Sequence, residues 1–277
     1  FVDFNRPMVA INQWEQAADS MYTLCGKDRI HPSTDGHLVM AYLFLKAQGL
    51  AGKPVADIRI DGAGKKVTRS DNCRVSDLSI SSDNLTFTYE AKSLPYPIDT
   101  SYYDNEKHTQ ADALSVIPFM DEMNYEGLSV SGLSDGYYGL TIGGEFIGRF
   151  TARELERGIN MALLQNTPQY KQAMKIRQMN EERWLKERKM REFYWVEYNL
   201  MRKTGMLWAC NEAAVDTLRK YRPHDIFLQW NGALWLQYMH KGIREDCVNE
   251  QQDLVNQIYE QNKPIPLRIE IKKFTDL

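Results

Sequence analysis

The chain has 277 residues and a formal charge of −3. That length favours more than one module, and the near-neutral balance offers no basic field for nucleic acid or an anionic membrane surface. No apolar run approaches the roughly 18 residues of a membrane helix.

In chain order, Pro7 opens a predicted helix whose Met8, Ile11, Trp14 and Ala18 recur at helical spacing. Gly26 interrupts the chain. Thr34 or Asp35 can then cap a helix to about Gln48, closed by Gly49 and Gly52-Lys53-Pro54. Leu38 to Leu45 is apolar nearly all round, which predicts burial on all sides.

From Val55 the period falls to two. Ile58/Ile60, Val75, Leu78/Ile80 and Leu85/Phe87/Tyr89 alternate with polar residues and are divided by Asp61-Gly62 and Asp83-Asn84 turns, which predicts strands in hairpins. A polar loop through Tyr102, Tyr103 and His108 is expected next. Strands resume at 127–130, 138–142 and 145–147, and Thr151 caps a helix to about Leu164 with Glu154 as its capping-box partner.

Pro168 opens a long helix to about Lys203, carrying favourable Glu182/Lys186 and Glu187/Arg191 pairs. A further helix is expected over Met206–Tyr221, and another from Asp225 to about Asn262, with Gly232 and Gly242 as breaks. Leu267–Ile271 reads as a closing strand. These elements predict three parts: 1–52, a β-rich module over 53–150, and a long-helix hairpin with its closing strand over 151–277.

One short stretch carries chemistry. Asp28 lies three residues before His31, and Pro32 follows. Pro32 biases His31 toward an extended conformation. A carboxylate at that spacing reaches one imidazole nitrogen and fixes the tautomer, leaving the other nitrogen as a general base. His37 is six residues beyond His31, the wrong interval for a metal pair on one helix face, and is expected to bond nearby backbone and fix this turn. His108, His224 and His240 have no local partner in the sequence.

Gly132-Leu133-Ser134-Asp135-Gly136 fits the nucleophile-elbow pattern, but strands are predicted on both sides, so a hairpin turn is expected there. Trp184, Trp195, Trp208, Trp230 and Trp235 are expected to pack long helices against one another. Cys25, Cys73, Cys210 and Cys247 show no metal-clip spacing. They read as reduced thiols, with Cys210 and Cys247 the pair if any disulfide forms.

The block from Asp28-Arg29-Ile30-His31-Pro32 through Gly36-His37 to Ala41 resembles the last conserved block of the SGNH, or GDSL-like, serine esterases and lipases. The resemblance covers roughly the first 50 residues. It implies that Asp28 orients and His31 acts as base in a Ser-His-Asp triad. The implied fold is α/β, the C-terminal piece of a flavodoxin-like three-layer domain, with an α+β extension of hairpins and long antiparallel helices. No Gly-Asp-Ser block occurs in this chain. The expectation is therefore the C-terminal portion of a longer secreted or periplasmic ester hydrolase, inactive by itself. Its expected partners are an acyl-ester substrate, such as a carbohydrate ester, and an N-terminal serine-bearing portion of the same protein. No metal or organic cofactor is implied. The alternative is a non-catalytic carbohydrate-binding or protein-interaction module.

Overall fold

The structure, a computed structural model, describes residues 1–101 and 108–274. The loop expected at Tyr102 and Tyr103 lies outside them. The architecture is mixed α/β, with two sheets and long helices. Contacts divide the chain into two units: Phe1–Met174 with Lys263–Leu277, and Lys175–Asn262. The helical portion expected from residue 151 thus begins, as a unit, at Lys175, and the closing strand belongs to the other unit.

In the first unit, α1 (Asn5–Glu15) precedes α2 (Thr34–Ala47). Leu38, Val39 and Tyr42 on α2 are buried among Leu24, Ile98, Ile117, Phe119 and Met120. Ala41 and Phe44 on its other side are exposed, so the expected all-round burial is corrected to one buried face. The cap is Ser33, one residue ahead of the two expected candidates.

Among the described residues the strands are β1 (Ala56–Asp61), β2 (Lys66–Asp71), β3 (Cys73–Ile80), β4 (Asn84–Ala91), β5 (Glu126–Ser131), β6 (Tyr137–Ile142), β7 (Glu145–Thr151), β8 (Ile159–Asn160) and β9 (Leu267–Lys273); β8 falls where the helix from Thr151 was expected to continue. One sheet has the order β2-β1-β5-β8, with β1 and β5 parallel; the other has the order β3-β4-β9-β6-β7 and is antiparallel throughout. Ile58, Ile60, Leu128 and Val130 from the first sheet share one core with Leu85, Phe87, Leu140, Ile142, Ile269 and Ile271 from the second. The alternation that defines the strands therefore also fills the space between the sheets.

Between β1 and β5 the chain forms a short helix, α3 (Phe119–Glu122). After β7 comes α4 (Ala152–Arg157), opened by the expected capping box: the Thr151 N–H donates to Glu154 Oε2 at 2.7 Å, and the Glu154 N–H to Thr151 Oγ1 at 3.2 Å. It ends at Gly158, whose φ of 91° leaves the helical region, well before the expected Leu164.

α5 (Pro168–Val196) leads into the second unit and continues as a π-helical segment over Glu197–Met201. Within that unit follow α6 (Glu212–Tyr221), α7 (Ile226–Tyr238) and α8 (Lys241–Gln261). The helix expected from Met206 begins only at Glu212, where Asn211 caps it. The long helix expected from Asp225 breaks at Met239–His240 rather than at a glycine. The Glu182/Lys186 and Glu187/Arg191 pairs both form, at 3.7 Å.

Glu197 is buried at the π segment. Its Oε1 accepts the Trp235 indole N–H at 2.7 Å, and its Oε2 accepts the Trp208 backbone N–H at 2.8 Å. Both oxygens are thereby satisfied, as burial requires. Trp235 alone of these five tryptophans is fully buried; Trp184 and Trp230 are exposed on helices, and Trp208 is exposed in the turn before α6. Packing accounts for only part of the aromatic cluster. Among the described residues, no helix is long and apolar enough to cross a membrane.

Candidate functional site

The Asp28–His31 turn is built on backbone first. Gly26 N–H donates to the His31 carbonyl at 2.7 Å, and Ser33 N–H to the Leu24 carbonyl at 3.0 Å, so the two sides of the turn are laced together. Arg29, with φ 58°, occupies the left-handed region at its apex. Leu24 is fully buried and is fixed from α1 by Asn12 Oδ1, which accepts the Leu24 N–H at 2.9 Å. The Ser33 hydroxyl donates to the Leu24 carbonyl at 2.9 Å and also bonds Asp35.

Gly36 completes this anchor for a steric reason. A Cβ there would lie 2.0 Å from the Leu24 carbonyl oxygen. Only glycine lets the start of α2 approach the strand-like arm of the turn this closely.

On that base Asp28 and His31 converge. Asp28 Oδ2 lies 2.5 Å from His31 Nδ1, while Oδ1 accepts the N–H groups of Ile30 at 2.9 Å and His31 at 3.1 Å. The imidazole hydrogen bond, aided by the two backbone N–H groups, holds the Asp28 carboxyl down to about 2. Asp28 is thus a fixed anion at any working pH, and it assigns the Nδ1 proton to the side facing it. The His31 side chain is 83% exposed, so Nε2 is open to whatever approaches from outside. The expected hydrogen bond is present; a serine partner for Nε2 is not found among the described residues of this turn.

His37 does not play the expected part. It is exposed and makes no side-chain hydrogen bond among the described residues; Asn12, Ser33, Asp35 and Gly36 fix the turn instead. Ser134 sits between β5 and β6, with no helix after it. Its hydroxyl accepts from Lys273 Nζ at 2.7 Å and lies 3.1 Å from the Tyr138 hydroxyl, so the elbow pattern here serves a turn. The four cysteines are free thiols. Cys210 Sγ lies 3.4 Å from His240 Nδ1 and is not paired with the buried Cys247.

Sequence reasoning missed several buried acids, Asp35 and Glu126 among them. Asp35 is 1% exposed, and its Oδ2 is 3.4 Å from His108 Nδ1, with the Tyr22 ring set edge-on to that imidazole. Glu126, on β5, is completely buried; its Oε1 accepts the Tyr89 hydroxyl at 2.8 Å and the Gln169 amide at 3.2 Å. Burial pushes the Glu126 carboxyl up to about 7. An acidic residue in phase with the apolar Leu128 and Val130 of its strand was the sequence signal available for it.

Comparison with known proteins bears on both units. A family model described as the diltiazem deacetylase C-terminal helical domain matches residues 174–263. The helical unit resembles that domain. The match and the unit delimited by contacts, 175–262, agree within one residue at each end. The structure is also similar to that of a gut microbial diltiazem-metabolizing enzyme, with a TM-score of 0.93 and 42% identity over 99% of this chain. The chain spans 62% of the length of that enzyme. No curated protein matches.

Proposed function

We propose that this chain is the C-terminal portion of a serine ester hydrolase of the SGNH, or GDSL-like, type, with Asp28 as the orienting acid and His31 as the general base. The observation that carries the reading is the Asp28 Oδ2–His31 Nδ1 contact at 2.5 Å on an exposed turn whose Nε2 faces outward. Two further observations support it. The similar enzyme is a diltiazem-metabolizing one, and the helical unit matches a domain named for a deacetylase. Apolar residues around the turn in sequence are left bare, with Trp14, Met21 and Ile30 each more than two-thirds exposed, as a surface covered by further polypeptide would be.

In this reading a serine from an upstream portion docks at His31 Nε2. His31 takes its proton as the hydroxyl attacks the acyl carbon. Asp28, ionised throughout, stabilises the imidazolium that forms. The proton then passes to the leaving alcohol, and His31 next activates water to release the acid. Acetyl esters of small molecules are the first substrate class to test, carbohydrate acyl esters the second. Action outside the cytoplasm belongs to the same proposal.

The test is hydrolysis of p-nitrophenyl acetate by this chain alone and by the longer protein. The chain alone is expected to show no turnover above its His31→Ala variant, and the longer protein is expected to be active. Turnover by the chain alone that survives His31→Ala and disappears in Ser134→Ala would replace this reading with one centred on Ser134.

A further inference from the structure

The helical unit contains a concavity of about 430 Å³ that the ester-hydrolase reading does not use. That volume is within the range of small-molecule sites. Buried Leu200 and Leu228 line it together with the rings of Trp195 and Tyr221. The Trp195 ring is covered in part by Phe227, at 5.3 Å between centroids and tilted by 37°. The site adjoins the π-helical segment, a local widening that recurs at functional sites. There the Asn199 amide turns back to donate to the Trp195 carbonyl at 3.0 Å, which fixes the backbone beneath the indole.

The polar groups at the mouth are unequal. Lys203 and His224 line it, and neither side chain has a hydrogen-bond or ion-pair partner among the described residues. Asp225 also lines it, but its carboxylate is engaged: Oδ1 accepts the N–H groups of Phe227 at 2.8 Å and Leu228 at 3.1 Å, capping α7. The positive end of that helix offsets its charge. A second cation, Lys220, lies 5.5 Å from the centre of the Tyr221 ring. Lys203 and His224 therefore carry donors free for a ligand, while the Asp225 charge is held at the head of α7.

We propose that this pocket binds an organic acid: a carboxylate carried on a flat, ring-shaped apolar body. The ring lies between Trp195 and Tyr221, where flat faces meet flat faces. The carboxylate accepts from Lys203 Nζ and the His224 ring. Such a site joins an apolar enclosure to a charge-assisted hydrogen bond, the combination that sets orientation in small-molecule sites. The proposal stands whether or not Asp28 and His31 are catalytic.

The experiment is equilibrium dialysis of the full 277-residue chain against three probes of one shape: 2-naphthoate, 2-naphthamide and 2-naphthylmethylamine. Naphthoate is expected to bind saturably, one per chain, with the amide weaker and the amine weakest. Lys203→Met should weaken naphthoate by roughly tenfold to a hundredfold, the range for losing a hydrogen bond to a charged group. It should leave the amide unchanged, and Lys203→Arg should recover most of the loss. Lys203 is exposed, so these variants should fold as the parent does. Equal binding of acid and amide, a preference for the amine, no binding at millimolar probe, or naphthoate affinity unaltered in Lys203→Met would each overturn the proposal.

Discussion

Asp28 and Glu126 are carboxyl groups in the same unit held at opposite ends of the carboxylate range. Asp28 is exposed and receives three hydrogen bonds, from a ring nitrogen and two backbone N–H groups, and it is held down to about 2. Glu126 is buried between the sheets and receives two, both on Oε1, and it is pushed up to about 7. Its Oε2 and the Gln169 Oε1 are both left without a partner. The contrast shows that the number and sharing of donors, set against the loss of water, decides whether a buried or exposed acid keeps its proton. An exposed carboxylate with three donors is built to stay charged beside a base. A buried one with two donors on one oxygen is held toward its neutral form.

The largest expected effect breaks the exposed member. In the longer protein, Asp28→Asn should lower kcat by about 10⁴-fold, the loss seen when a triad acid is made neutral and the wrong tautomer is favoured. Thermal unfolding of this chain should hardly change, because the group is at the surface. Steady-state kinetics beside a melting curve separate the two, and a wild-type kcat would remove Asp28 from the mechanism.

Next comes the buried member. Its folded value of about 7 lies above the ordinary 4.5, so the folded state binds the proton more tightly than the unfolded one. The contribution is therefore complete below about pH 4.5 and is lost as pH rises through about 7. Glu126→Gln should abolish that slope in denaturant unfolding and leave the chain more stable at pH 8, by an amount on the order of 3 kcal/mol. A parent whose stability is flat between pH 5 and 8 would contradict it.

Gly36→Ala sharpens the comparison by moving the support rather than the acid. Its Cβ would meet the Leu24 carbonyl, so a loss of about 1–3 kcal/mol is expected from overpacking. The Asp28–His31 contact should loosen with it, visible as a change in the His31 ring signals by NMR. The smallest effect is expected from Thr151→Ala, which removes half of a capping box far from either acid and should cost about 1 kcal/mol. A loss well beyond that in a urea titration would mean α4 does more than cover β5.

The parts of this molecule legible in the sequence are those written within a few residues. Asp28 and His31 are three apart, the Thr151 capping box likewise, and the alternation of Leu85, Phe87 and Tyr89 states its own face. Gly158 ended a helix that periodicity alone carried on to Leu164, because one positive φ outweighs several favourable residues. Gly232 did the reverse. It looked like a break, yet it sits inside α7, where a Cβ would be 3.2 Å from Arg222 Cδ; it is there for close packing. Partners far apart in the chain were not legible at all. Asp35 meets His108, Tyr89 and Gln169 meet Glu126, and Trp235 meets Glu197 only once the fold has formed. The same holds for the parallel pairing of β1 with β5, since nothing local specifies it.

The place of β9 sets an order of events during synthesis. It lies between β4 and β6, so the five-stranded sheet has a gap at its middle until residues 267–273 emerge. Residues 175–262 are made first and form their own contacts while β4 and β6 wait with unpaired edges. Such edges recruit stray strands from other chains. The helical unit is therefore, in the ribosome's time frame, a delay written into the message, and a chain stalled anywhere within it carries an unfinished sheet in need of protection.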